Sequence, residues 1–113
     1  MGKIGVIGQG YVGTAIKLGF QDHYDVLTYD KFDLGKSTHS KISDIVEETE
    51  VIFVCVPTPM RKDGTCYTGI VEEVISEINE TANDHIVVIK STVPPGTTDK
   101  FNHEFSNVTV IFN

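Results

Sequence analysis

Five short apolar runs punctuate the chain: KIGVIG at 3–8, DVLTYD at 25–30, VIFVCV at 51–56, HIVVIK at 85–90 and VTVIFN at 108–113. Several are nearly continuous in apolar character, as expected of strands covered on both faces. Between them the period changes. Val12, Ala15, Ile16 and Gly19 fall on one face of a helix over 11–20. A short helix is expected around Ile42–Glu48, with Ser43 as its N-cap. Ile70, Val71, Val74, Ile75 and Ile78 oppose a row of glutamates, which predicts an amphipathic helix over 70–81. TTDKFNHEF predicts a last helix, capped by Thr97. Strands alternating with helices make βαβ units and a parallel sheet. Right-handed crossovers then wind helices onto both faces. The expected fold is α/β: a doubly wound parallel sheet of about five strands in order 3-2-1-4-5, in one domain over 1–113.

Composition narrows this picture. Val and Ile number 26 against 5 for Leu and Ala, which favours a sheet-rich core. The net charge is −7 with no basic run, which argues against nucleic acid or an anionic membrane as partner. A phosphate-bearing small molecule stays admissible, because backbone amides hold phosphate without formal charge. No 18-residue apolar stretch exists, and MGKIGVIG runs straight into a strand pattern rather than a signal peptide. The two cysteines, Cys55 and Cys66, form no CxxC pair, so a cytoplasmic setting is expected. The four histidines show no metal-ligand spacing, and no metal site is expected.

GQGYVG (Gly8, Gln9, Gly10, Tyr11, Val12, Gly13) follows the first predicted strand and opens the first predicted helix. In that context G-x-G-x-x-G is a dinucleotide-binding signature. Gly8 allows the tight turn, Gly10 the approach of a pyrophosphate, and Gly13 close packing of helix on strand. Asp30 ends the second strand, at about the distance where a carboxylate takes the ribose hydroxyls of NAD. Lys31 beside it softens the discrimination against a 2′-phosphate. The fold is therefore expected to be of Rossmann type, with NAD as cofactor.

Ligands of such sheets bind beyond the carboxyl ends of the strands. With the expected order, the first and fourth strands flank the crevice. Ser91 and Thr92 in KSTVPPGTT then stand beside the nicotinamide end, and Pro94 and Pro95 fix the exit path. The third run ends in Val56, Pro57, Thr58 and Pro59, and Thr58 is expected to reach the cofactor. Five strands also leave an open edge on the fifth, a hazard for association.

GQGYVG, Asp30, VCVPTP, the Asp63-Gly64 pair in MRKDGTCYTG, and KSTVPPGTT, in this order, resemble the NAD-binding domain of the UDP-glucose/GDP-mannose dehydrogenases. The resemblance implies NAD-dependent oxidation of a nucleotide sugar at C6, from alcohol to carboxylate. By position it implies that Gly8, Gly10, Tyr11, Val12 and Gly13 line the pyrophosphate and that Asp30 holds the adenosine ribose. Pro57, Thr58 and Ser91 would flank the cofactor, and Thr92 would help position water and substrate as the catalytic residue. Gly35 and Lys36 lie where the family often has a basic residue near the adenosine. Asn113 falls where an Asn-Pro-Glu-Phe motif begins. The family's nucleophilic cysteine, sugar-binding domain and dimerisation helix are not expected here, and neither Cys55 nor Cys66 matches that nucleophile. A homodimer is left open. Three alternatives stand beside this reading: a stand-alone NAD-binding module, the cofactor domain of a β-hydroxyacid-type dehydrogenase, and a methyltransferase.

Overall fold

The computed structural model describes residues 2–113. The elements alternate: β1 (Gly2–Ile7), α1 (Tyr11–Phe20), β2 (Tyr24–Tyr29), α2 (Ile42–Glu48), β3 (Val51–Val54), α3 (Gly69–Thr81), β4 (His85–Ile89), α4 (Thr97–Glu104) and β5 (Val108–Phe112). All four strand pairings are parallel, in the order β2-β1-β3-β4-β5.

The fold class matches the sequence reading, but the expected order 3-2-1-4-5 does not. β3 lies against β1, not outside β2. The reason is in the polar stretch after β2. Thr28 N–H donates to Thr38 Oγ1 at 2.8 Å, and the Thr38 and His39 amides donate to the Thr28 carbonyl at 2.9 and 3.2 Å. Asp30 N–H donates to Ser37 Oγ at 2.8 Å. The outer edge of β2 is thus occupied by a hydroxyl-rich loop, and the chain crosses directly to the free side of β1. Glu48 on α2 anchors this loop through His39 Nε2 at 2.7 Å and also meets Lys3 Nζ at 3.2 Å. These two partners, His39 foremost, hold its carboxyl below the usual range.

The two faces are covered unequally. Ile52, Val54, Val87, Ile89 and Val110 pack against α2 (Ile45, Val46), α3 (Val71, Ile75, Ile78), Phe101 of α4 and Phe105 just past its end in one buried cluster. Opposite, α1 sends Phe20 to within 5.6 Å of the Phe53 ring and 5.7 Å of Tyr24. Farther along that face Ile86 and Ile111 remain 41% and 46% exposed. At the far edge, the Asn102 side chain donates to the Val110 carbonyl at 2.8 Å and accepts from its N–H at 2.7 Å. The fifth strand's edge is therefore blocked at its middle residue rather than fully open.

Two expected caps are also corrected. Lys41, not Ser43, occupies the N-cap of α2, and Ser43 lies inside the first turn. Gly96 is the N-cap of α4 in a left-handed conformation. Thr97 is the first helical residue, and its hydroxyl donates back to the Pro94 carbonyl at 2.7 Å.

Candidate functional site

The strand ends on the α-helix N-terminal side converge on one cavity of about 660 Å³. Its first wall is main chain. Gly8 has φ 98°, and a Cβ there would lie 2.6 Å from the Cys55 carbonyl oxygen. A side chain is excluded on both counts. Gly8 N–H donates to the Tyr29 carbonyl at 2.8 Å, tying the turn to β2. A Cβ at Gly13 would run into the Gly8 carbonyl oxygen, so α1 can lie this close to β1 only with glycine there. A Cβ at Gly10 would meet nothing within 4 Å. That side of the loop is empty space for a ligand. Gly10 is also the N-cap of α1 and offers no capping side chain. The first-turn amides, which have no intrahelical partner, stay available.

Asp30 locks this loop from β2. Its Oδ2 accepts from Gln9 N–H at 2.7 Å and its Oδ1 from Phe32 N–H at 2.8 Å. The Gln9 side chain turns inward, donating to the Gly8 carbonyl at 3.1 Å. It stabilises the turn rather than facing the cavity as a free donor.

The opposite wall is made of side chains. Cys55 continues β3, its N–H donating to the Ile7 carbonyl at 2.8 Å. Burial pushes its thiol up to about 11, with Lys90 pulling weakly the other way. Pro57 and Thr58 follow, and the chain then makes a hairpin. Met60 bridges Cys66, Tyr67 N–H donates to the Pro59 carbonyl at 2.8 Å, and Arg61 stacks over the Tyr67 ring at 5.4 Å. Asp63 accepts from the Thr65 hydroxyl at 2.7 Å and its amide at 3.0 Å, which holds its carboxyl below the usual range. The signal for this hairpin was the Asp63-Gly64 pair.

At the β4 exit the Ser91 hydroxyl, buried, donates to the Val56 carbonyl at 2.6 Å. It clamps the ends of β3 and β4 together. Thr92 is exposed at the rim. Because β3 intervenes, the crevice opens between β1 and β3, one strand earlier than expected, and β4 forms its far bank.

Gly8, Gln9, Gly10, Tyr11, Val12, Asp30, Lys31, Val56, Pro57, Thr58, Ser91 and Thr92 all line the cavity. Gly13 stands behind the loop. Sequence reasoning missed Ile7, Tyr29, Phe32, Ile42, Cys55 and Lys90, and it missed α3, whose Ile70, Glu73, Val74 and Glu77 also line the cavity. Among the described residues no cluster of three or more His, Cys, Asp or Glu side chains could hold a metal ion. No described helix is long and apolar enough to cross a membrane.

Residues 31–110 match the model of the UDP-glucose/GDP-mannose dehydrogenase family, NAD binding domain. The UDP-N-acetyl-D-mannosamine dehydrogenase of Methanocaldococcus jannaschii is 31% identical over 134 residues, covering 92% of this chain and 31% of that protein. A UDP-glucose dehydrogenase from Pyrobaculum islandicum superposes with a TM-score of 0.79 at 26% identity, covering 99% of this chain and 35% of that one. The GDP-mannose dehydrogenase of Pseudomonas aeruginosa gives 0.79 at 25% identity, covering 97% and 35%. The chain thus spans about a third of the length of the relatives it matches.

Proposed function

The chain belongs to the UDP-glucose/GDP-mannose dehydrogenase family, and from that premise we propose that it is the NAD-binding portion of a nucleotide-sugar 6-dehydrogenase, oxidising a sugar alcohol to the acid. The cofactor is NAD, which when bound supplies the hydride acceptor. The residues present fit it. The glycine loop leaves open space at Gly10, where a pyrophosphate would need to approach the backbone. The first-turn amides of Tyr11, Val12 and Gly13 would hold that charge, helped by the positive end of α1. Asp30 keeps lone pairs beyond the two amides it already holds and would accept from the adenosine ribose hydroxyls. Lys31 stands beside it at the rim. The β2 and β4 exits lie three strand spacings apart, each about 4.8 Å, with the loop between them. A dinucleotide laid across the strand ends would therefore bring its reactive ring to Val56, Pro57, Thr58, Ser91 and Thr92. In this reading Ser91 shapes the wall and Thr92 positions water and substrate. The partner molecule is a nucleotide sugar; relatives named for UDP-glucose, GDP-mannose and UDP-N-acetyl-D-mannosamine support the class and leave the sugar open.

The single observation that carries this reading is the division of labour among the three glycines of the β1–α1 loop. Gly8 and Gly13 are sterically obligatory, whereas Gly10 is vacant space. A calorimetric NAD titration of wild type against Gly10→Val tests it. We expect Kd to rise at least about tenfold, equivalent to 1.4 kcal/mol, with an unchanged melting temperature. Equal affinity would refute the loop as the site.

A second reading, an NAD-binding module without turnover of its own, is favoured by one observation: burial keeps the Cys55 thiol protonated at neutral pH. It is no activated nucleophile. The 113-residue chain is then expected to bind NAD yet form no NADH with UDP-glucose. Turnover by this chain would eliminate that reading.

A further inference from the structure

One cation stands in the wall of the cavity without a counter-charge. Lys90 follows the last residue of β4, and its N–H still donates to the Val54 carbonyl at 2.8 Å, so the ladder to β3 runs one residue past Ile89. Cys55 extends β3 in the same way. The register Val54↔Ile89 sets Cys55 beside Lys90. Side chains alternate along strands, so both residues stand opposite Val54 and Ile89, which belong to the core. Both line the cavity. The Lys90 ammonium is felt at the Cys55 thiol, where it opposes the effect of burial. Lys90 is half-buried, yet among the described residues the ion pairs use Lys3, Lys36, His39 and Lys100 and leave it out. Keeping a charge partly out of water without a partner is unfavourable, which marks such a position as one with a task. Its chain neighbours are Ser91 and Thr92, at the end of the cavity to which the proposed function brings the reactive ring.

Resting on the NAD reading above, we propose that Lys90 sets the redox preference of the site: its ammonium repels the cationic oxidised nicotinamide ring and spares the neutral reduced one. The two forms of the dinucleotide share their phosphates, riboses and adenine and differ by one charge at the ring. A contact with the shared parts changes both affinities alike, whereas a charge near the ring changes their ratio. Coulomb's law fixes the sign, since like charges repel. The other charged groups lining the cavity are Asp30, Lys31, Glu73 and Glu77. Asp30 and Lys31 stand at the β2 end, three strand spacings or about 14 Å away, beyond the screening length of about 8 Å. The two glutamates attract the cationic ring, but they are unaltered when Lys90 alone is replaced, so the change in ratio reads Lys90. A site that binds the oxidised form less tightly than the reduced form favours oxidation of the alcohol over reduction of the acid.

Calorimetric titrations of the whole chain with NAD and with NADH test this. In Lys90→Met the ratio of the NAD Kd to the NADH Kd should fall about tenfold, or roughly 1.4 kcal/mol, chiefly through tighter binding of NAD. Lys90→Gln should give the same ratio, so either variant that folds reads the effect. Lys90→Arg keeps the charge and should stay within about twofold of wild type. Lys62 is exposed on the hairpin and outside the cavity lining. Lys62→Met should leave the ratio unchanged, which separates a local cation from a change in net charge. An unchanged ratio in both neutral variants would overturn the proposal and leave the NAD site standing. Weakening of both forms by one factor would overturn it too, and would put the ammonium on the phosphates instead. Failure of wild type to bind either form would remove the functional reading on which the proposal rests.

Discussion

The cavity has two banks, and they are made of different parts of the amino acid. On the β1 bank the chain presents bare backbone, and the residue identities matter because of what they lack. On the β3–β4 bank it presents hydroxyls, proline rings and a thiol, and the residues matter for what they carry. The difference sets how each bank should respond to substitution. A missing side chain cannot be approximated. Adding one atom at Gly13 or Gly8 collides with main chain, which has nowhere to go. A hydroxyl can be removed, and the loss is then one hydrogen bond.

The largest expected effect breaks the first bank. Gly13→Ala places a methyl against the Gly8 carbonyl oxygen and must push α1 off the sheet. We expect a loss of about 3 kcal/mol or more, at the upper end of overpacking costs, read as a lowered urea midpoint and lost NAD binding. A variant as stable as wild type would show that the helix packs less tightly on β1 than described. On the second bank, Ser91→Ala removes the 2.6 Å bond to the Val56 carbonyl and leaves that half-buried oxygen short of a partner. The cost should be about 1 kcal/mol, and the two strand ends should part, seen as faster amide exchange at Val56 and Pro57's neighbour Thr58.

The smallest effect sharpens the comparison through pH. The Cys55 thiol stands at about 11 in the fold against an ordinary 9.0. The unfolded chain therefore releases this proton first. The contribution is fully present below pH 9 and is lost as pH rises through 11. Wild type should lose stability between those values more steeply than Cys55→Ala, measured as denaturation midpoints at several pH values. Parallel curves would show that the thiol is not shielded.

How much of this was legible in the sequence also differs between the banks. The glycine loop is largely local: Gly13 is held to glycine by the Gly8 carbonyl five residues before it, and only Gly8 answers to a distant neighbour, the Cys55 carbonyl. The strand order is not local. Nothing in the periodicity of KFDLGKSTHS says that Ser37 and Thr38 will satisfy the outer edge of β2 in place of a strand. The α3 lining was hidden for a related reason. The amphipathic pattern assigns Ile70 and Val74 to the core and the glutamates to water. The first turns of α3, however, start beyond the end of β3, where core and cavity share one surface. The hairpin after Pro59 had a readable turn pair, but its strands are single-bridge fragments with no apolar alternation to announce them.

Asn102 gives the fold a stop signal. Its amide reproduces, in one side chain, the donor and acceptor that another strand would offer to Val110. At the other margin Thr38 meets Thr28 in the same way, its hydroxyl oxygen accepting and its backbone amide donating. The ribbon is thus self-terminating on its left and right, and a newcomer strand must evict a resident side chain before it can zip on.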